Sequence, residues 1–196
     1  MKSLVMDHKK NFIELINAII VSDNRGEIKD IFDGIEAVCN VIKQQALIGG
    51  KVMFIGNGGS AAISSHMAID FWKNGGIPAI AFNDGPLLTC IGNDYGYEHI
   101  FEKPVAFYAK QGDVMIAISS SGRSENIING VNAAIDKGCT VITLSGFEKN
   151  NPLRNMGLYN FYVPSGKYGP VEVVHQYICH WILDVIIESN LNKSEG

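Results

Sequence analysis

Residues 52–65 read VMFIGNGGSAAISS, and residues 114–127 read VMIAISSSGRSENI. Each is a short apolar run, a turn of small residues, a serine and then a segment of helical character. A strand buried on both faces of a parallel sheet explains the unbroken apolar run. Glycine and serine let the chain turn tightly at its end. Parallel α/β sheets bind ligands outside the carboxyl ends of their strands, so two such turns predict one shared crevice.

Working outward, the runs KVMFIG, IPAIAF, DVMIAIS, TVITLSG and LYNFYVP have the same buried-strand character. Helix-like segments fall between them at 60–74, 97–110 and 124–137, the last stopped by Gly138, and a long helix fills 170–189. This alternation predicts an α/β fold with a doubly wound, five-stranded parallel sheet flanked by helices. The first 50 residues read as helix: Phe12, Leu15, Ile16 and Ile19 repeat at helical spacing, as do Ile28, Ile31, Ile35, Val38 and Ile42, before Gly49-Gly50. Two amphipathic helices ahead of the first strand need a surface to cover, on their own sheet or on a neighbouring subunit. We expect one domain over 1–196, with a helical segment at 1–50, an α/β core at 51–190 and a frayed tail at 193–196.

With 196 residues the chain can bury one sizeable core, and 46% hydrophobic against 18% charged residues is ordinary for a globular protein. A net charge of −4 with no cluster of Lys or Arg gives nucleic acid or an anionic membrane surface nothing to bind. No apolar run reaches the ~18 residues of a membrane span, and the N-terminus lacks the order of a signal peptide, so a cytoplasmic location is expected. Cys39, Cys90, Cys139 and Cys179 stand far apart in apolar segments and read as buried, reduced thiols.

Three turns and one scattered constellation carry the chemistry. Gly56-Asn57-Gly58-Gly59-Ser60 brings backbone N–H groups to a helix N-terminus, a place for an anion. It is not GxGxxG and lacks the Lys of a P-loop, so neither a dinucleotide nor a nucleoside triphosphate is implied. A tight turn capped by Ser60 explains it equally well. Ser119-Ser120-Ser121-Gly122-Arg123-Ser124 places four hydroxyls in six residues before a helix, more than a cap requires. Phosphate binding is the better account. Gly92-Asn93-Asp94-Tyr95-Gly96 reads as a turn, or as a source of hydrogen bonds to sugar hydroxyls. His66 and Asp70, at i and i+4, share a helix face, and Glu172 and His180 lie about two turns apart on the last helix. Two His and two carboxylates suit zinc or a similar divalent ion, and equally suit acid–base catalysis. Scattered surface groups are the plain alternative. His175 reads as a packing or intersubunit hydrogen-bonding residue.

Together these blocks resemble the sugar isomerase (SIS) domain family, and within it the phosphoheptose isomerases. The resemblance covers nearly the whole chain: GNGGS, the helix with His66, PAIAF, GNDYGYEHIF, GDVMIAISSSGRSENI, KGCTVITLSG and the C-terminal helix with His180. It implies a sugar-phosphate site at Asn57, Gly58, Gly59, Ser60, Asn93, Asp94, Ser119, Ser120, Ser121, Ser124 and Glu172. It implies a metal or catalytic centre at His66, Asp70, Glu172 and His180, and a homotetramer with active sites between subunits. The chain departs from the family at Asp70, where Glu is usual, and at Glu172, where Gln is usual. Asp70 draws its carboxylate back by one methylene, and Glu172 adds a negative charge that favours a cation. The loop WKNGGIPA is shorter than in the family, with Lys73 as the candidate for a basic family position.

The activity so implied converts sedoheptulose 7-phosphate to D-glycero-D-manno-heptose 7-phosphate for lipopolysaccharide or capsule heptose. Asp70 would be the base and His180 the group that moves protons at oxygen. The rivals are a non-catalytic SIS-fold sensor of sugar phosphates, a relative that binds the replication initiator, and an isomerase of another sugar phosphate.

Overall fold

A computed structural model describes residues 1–194, with seven helices and one seven-stranded sheet in the order β2-β1-β7-β6-β5-β3-β4. The parallel part consists of β4 (Ala79–Ala81), β3 (Val52–Gly56), β5 (Val114–Ser119), β6 (Thr140–Ser145) and β7 (Tyr159–Tyr162), five strands as the apolar runs predict. From β3 the chain winds one way to β4 and the other way through β5, β6 and β7. The switch point therefore lies between the carboxyl ends of β3 and β5.

Alternate residues of each strand feed two cores. Val52 and Phe54 of β3, with Val114, Ile116 and Ile118 of β5, pack under α2 (Ile31–Leu47), α3 (Gly59–Lys73) and α7 (Tyr168–Ser194). Met53, Ile55, Met115 and Ala117 face the opposite layer, made by α4 (Gly85–Asp94), α5 (Glu102–Tyr108) and α6 (Glu125–Asp136). The predicted doubly wound architecture is present. No helix among the described residues is long and apolar enough to cross a membrane.

The first 50 residues depart from the all-helical expectation. α1 (Lys2–Asn17) is followed by β1 (Ile20–Asp23) and β2 (Ile28–Lys29), which extend the sheet antiparallel to β7 and to each other. Asp23 makes the hairpin: its Oδ1 accepts from the Arg25 and Glu27 N–H groups at 2.9 and 3.0 Å, and Gly26 takes φ 78°. Ile28, assigned by spacing to the second helix, is thus a strand residue. α2 ends at Leu47, and Gly49 adopts φ 84° just beyond it, the stop that the glycine pair signals.

Two further stretches differ. α4, started by Asp84 as N-cap with Pro86 in its first turn, takes in Gly92, Asn93 and Asp94 of the segment read as a turn. The helix expected over 97–110 is a 3-10 turn at Tyr97–His99 followed by α5. α7 is longer than expected and takes in residues 193 and 194 of the predicted tail; residues 195–196 lie outside the described ones. Cys39 and Cys179 are buried, whereas Cys139 is half-buried and Cys90 is exposed on α4, against the expectation of four buried thiols. Helical spacing turns Cys90 outward, a placement an apolar neighbourhood in sequence does not reveal.

Candidate active site

The turn after β3 and the turn after β5 meet at the switch point. Gly58 takes φ 54° to swing the chain from β3 into α3, so Gly59 and Ser60 start the helix, with Gly58 rather than Ser60 as its cap. The serine turn is fixed by its own hydroxyls: Ser119 Oγ accepts from the Gly122 N–H at 3.2 Å, and Ser121 Oγ accepts from the Arg123 N–H at 3.3 Å. Gly122 takes φ 62°. Ser119 and Ser124 hydroxyls lie 3.5 Å apart, and the buried Ser120 Oγ has no partner among the described residues.

Between these turns is a cleft of about 220 Å³. Asn57, Gly58, Gly59 and Ser60 line one side, and Ser119, Ser120, Ser121 and Ser124 the other. Glu172 and Tyr168, from the start of α7, complete it with Ile118. Two helix N-termini, α3 and α6, open into this space, and both favour negative charge. The Glu172 carboxylate reaches the start of α3: a Cβ on Gly59 would stand 2.5 Å from Glu172 Oε2. Tyr168 escaped the sequence reading; its ring meets Phe147 edge-on at 4.8 Å, and Phe147, though not a glycine, is held at positive φ, 53°. A lone tyrosine ahead of a helix carries no signal that would have marked it.

Asn93 and Asp94 stand elsewhere. They close α4, exposed, with Asn93 Nδ2 donating to Asp94 Oδ1 at 2.9 Å, and they do not line the cleft. Lys73 is exposed in the last turn of α3.

α3 and α7 leave the cleft side by side and carry a second cluster. His66 Nε2 lies 3.3 Å from His180 Nε2 and 3.3 Å from Asp70 Oδ2. Ligand atoms of these three residues all fall within 4.8 Å of one another, so the group can hold a cation. Asn74 Nδ2 donates to Asp70 Oδ1 at 3.2 Å and orients the carboxylate. The fourth expected ligand, Glu172, is not in this group. Eight residues of helix at about 100° each leave Glu172 and His180 roughly 80° apart around α7 and ~12 Å apart along it. The pair that looks like one face in sequence is therefore split, Glu172 to the cleft and His180 to the cluster.

His175 is fully buried on α7. Its Nε2 donates to the Ser145 carbonyl at 3.2 Å, its Nδ1 has no partner among the described residues, and burial pushes its pKa down to about 4. It packs, as expected, and is no ligand.

A cleft at the switch point, lined by serines and two helix N-termini, is suited to a small phosphorylated molecule. The SIS domain family model matches residues 21–146. The phosphoheptose isomerase of Clostridium acetobutylicum is 37% identical over 188 residues, covering 90% of this chain and 94% of its own. That of Fusobacterium nucleatum is 32% identical over 187 residues, covering 93% and 92%. A solved phosphoheptose isomerase from Neisseria gonorrhoeae superposes with a TM-score of 0.81 at 29% identity, covering 94% of this chain and 97% of that one. The chain belongs to the SIS domain family and, within it, to the phosphoheptose isomerases, which are enzymes.

Proposed function

We propose that the chain isomerises sedoheptulose 7-phosphate to D-glycero-D-manno-heptose 7-phosphate, an aldose–ketose interconversion feeding heptose for lipopolysaccharide or capsule. The observation that carries the reading is the pairing of the serine-lined cleft with the His66–Asp70–His180 cluster farther along the same two helices. His66 lies seven residues past Gly59 (59 to 66), roughly 10 Å along α3. An extended seven-carbon chain has a comparable length. A phosphate in the serine turn thus sets the opposite end of the sugar near the cluster, and remote binding energy positions the reacting carbons.

In this mechanism Asp70 removes the proton beside the carbonyl and returns it to the neighbouring carbon, through an enediol. His180 moves the accompanying proton between the two oxygens. His66 holds Asp70 and His180 in place. Glu172 faces the sugar end of the cleft, and Asn57, Ser119, Ser121 and Ser124 hold phosphate oxygens. Zinc or a similar divalent ion fits His66, Asp70 and His180: His66 stands 3.3 Å from each of the other two, and ligand atoms about 2.0–2.1 Å from one tetrahedral zinc sit about 3.3–3.4 Å apart. Such an ion would polarise the carbonyl as a Lewis acid.

The whole chain acts as one domain and, we infer, as a cytoplasmic homotetramer. Leu4, Val5, Met6 and Ile13 of α1 are exposed while Phe12, Leu15 and Ile16 lie against the core, which supports packing against further copies. The free cysteines agree with a reducing compartment. Turnover of sedoheptulose 7-phosphate by the purified protein, with and without chelator, tests the reading. Asp70→Asn and His180→Ala should each abolish it, and full activity in either ends the assignment. A non-catalytic sensor would bind the sugar phosphate tightly with no turnover of any ketose phosphate.

A further inference from the structure

Asn57 and Asn126 face each other across the switch point as a reciprocal amide pair. Asn57 Nδ2 donates to Asn126 Oδ1 at 2.9 Å, and Asn126 Nδ2 donates back to Asn57 Oδ1 at 2.9 Å. Asn57 belongs to the turn after β3, whereas Asn126 is buried in the first turn of α6, beyond the serine turn. A third bond comes from the Tyr97 hydroxyl, which donates to Asn57 Oδ1 at 3.3 Å.

These contacts settle what Asn57 can offer a ligand. A carboxamide oxygen accepts two hydrogen bonds, and Asn57 Oδ1 already has both. Its Nδ2 carries two hydrogens, of which Asn126 takes one. The side chain therefore lines the cleft with a spare N–H and no spare acceptor. Turning the Asn57 amide alone would set oxygen against oxygen and nitrogen against nitrogen in the Asn126 pair, and would present an acceptor to an anion; turning both amides together would keep the pair but undo the Tyr97 donation to Asn57 Oδ1. Asn126 does not itself line the cleft.

We propose that Asn126 is a positioning residue of the isomerase: together with Tyr97 it fixes the Asn57 amide as a hydrogen-bond donor to a ligand oxygen, and it holds the two phosphate-binding turns at one separation. This rests on the sugar-phosphate reading of the cleft. The same pair explains why a residue two positions past the serine turn is buried and polar at once.

Asn126→Ala removes both bonds and suits a helix, and Tyr97→Phe removes the third bond from an exposed side chain. For both variants we would measure kcat and KM with sedoheptulose 7-phosphate, the Kd of inorganic phosphate by calorimetry, and the thermal midpoint. Asn126→Ala should raise KM and the phosphate Kd about tenfold each, with kcat changed less than about threefold and the midpoint lowered by only a few degrees. Tyr97→Phe should raise both by about two- to threefold, and it carries the test if Asn126→Ala fails to fold. Values within twofold of wild type in the folded variants overturn the proposal, as does a loss of affinity that merely follows a fall in the midpoint. Should the wild type bind phosphate but not turn over the heptulose, the substrate reading fails. Weaker phosphate binding in Asn126→Ala would then still support the role of Asn126.

Discussion

His66 and His180 meet Nε2 to Nε2 at 3.3 Å although 114 residues separate them in the chain. Two imidazole nitrogens aimed at one place, with Asp70 Oδ2 as close to His66, form a set of donors for one cation. The protein should bind about one zinc per chain. His66→Ala should lower zinc affinity at least roughly tenfold, the loss typical of even an outer-shell change. Because the cluster is separate from the serine turn, the phosphate Kd should stay unchanged. Competition with a chromophoric chelator reads the first quantity and calorimetry the second; equal zinc affinity in the variant sinks the assignment.

The Glu172 carboxylate lies against Gly59 at the start of α3, and this yields a separable effect. Gly59 is the first residue of α3 and is not held at positive φ, so alanine there meets no backbone strain. The added Cβ meets first the far end of the flexible Glu172 side chain, 2.5 Å from Oε2. The variant should fold with an equal or higher thermal midpoint, yet its displaced carboxylate should raise KM for the heptulose phosphate severalfold. Unaltered KM would remove Glu172 from the substrate site.

The two strand–turn–helix units were legible because their signals are local: buried runs in β3 and β5, and turn residues directly behind them. What failed was legible in principle at some positions and not at others. Asp23, Asn24 and Gly26 spell a hairpin, but the two helical spacings that flank it, one ending at Ile19 and one beginning at Ile28, conceal β1 and β2. Asp84 and Pro86 are a helix start that the Asn93-Asp94 dipeptide disguised as turn. The two histidines of the cluster were named in sequence, but their meeting depends on how α3 lies on α7, which no spacing encodes. The splitting of Glu172 from His180 is helix geometry that "two turns apart" rounds away. The Asn57–Asn126 and Tyr97–Asn57 bonds join three separate segments, so no local pattern marks them.

Gly122 predicts the sensitivity of the serine turn. Its φ of 62° strains any L side chain, and the space its Cβ would take is filled by Asn151, whose Nδ2 is bonded to the Glu148 and Gly146 carbonyls at 2.8 and 3.2 Å. The Gly122 carbonyl also accepts from the Leu153 N–H at 3.2 Å. Gly122→Ala should therefore cost about 1–3 kcal/mol and weaken phosphate binding together with stability. Urea unfolding with and without phosphate checks it; a variant as stable and as tightly binding as wild type contradicts the stated role of the turn.

His175 gives the pH dependence of stability. Its Nε2 donates to the Ser145 carbonyl, its Nδ1 is unprotonated and buried, and burial holds its pKa at about 4, opposed by that hydrogen bond. The unfolded chain would titrate near 6.5. Above about 6.5 both states are neutral here and the group contributes no pH dependence. As pH falls from 6.5 to 4 the unfolded chain takes up a proton that the folded one refuses, so stability falls by about 1 kcal/mol per pH unit. His175→Phe removes the titration, and it leaves no orphaned carbonyl because Ser145 O also accepts from the Val163 N–H at 2.8 Å. The larger ring will lower stability at pH 7, but its stability should fall less steeply on acidification. Between pH 6.5 and 5 the gap between wild type and variant in urea unfolding should close by about 1–2 kcal/mol. Parallel pH curves for the two proteins would mean that His175 takes up its proton in the folded state as readily as in the unfolded one, against the neutral, buried donor that its bond to Ser145 describes.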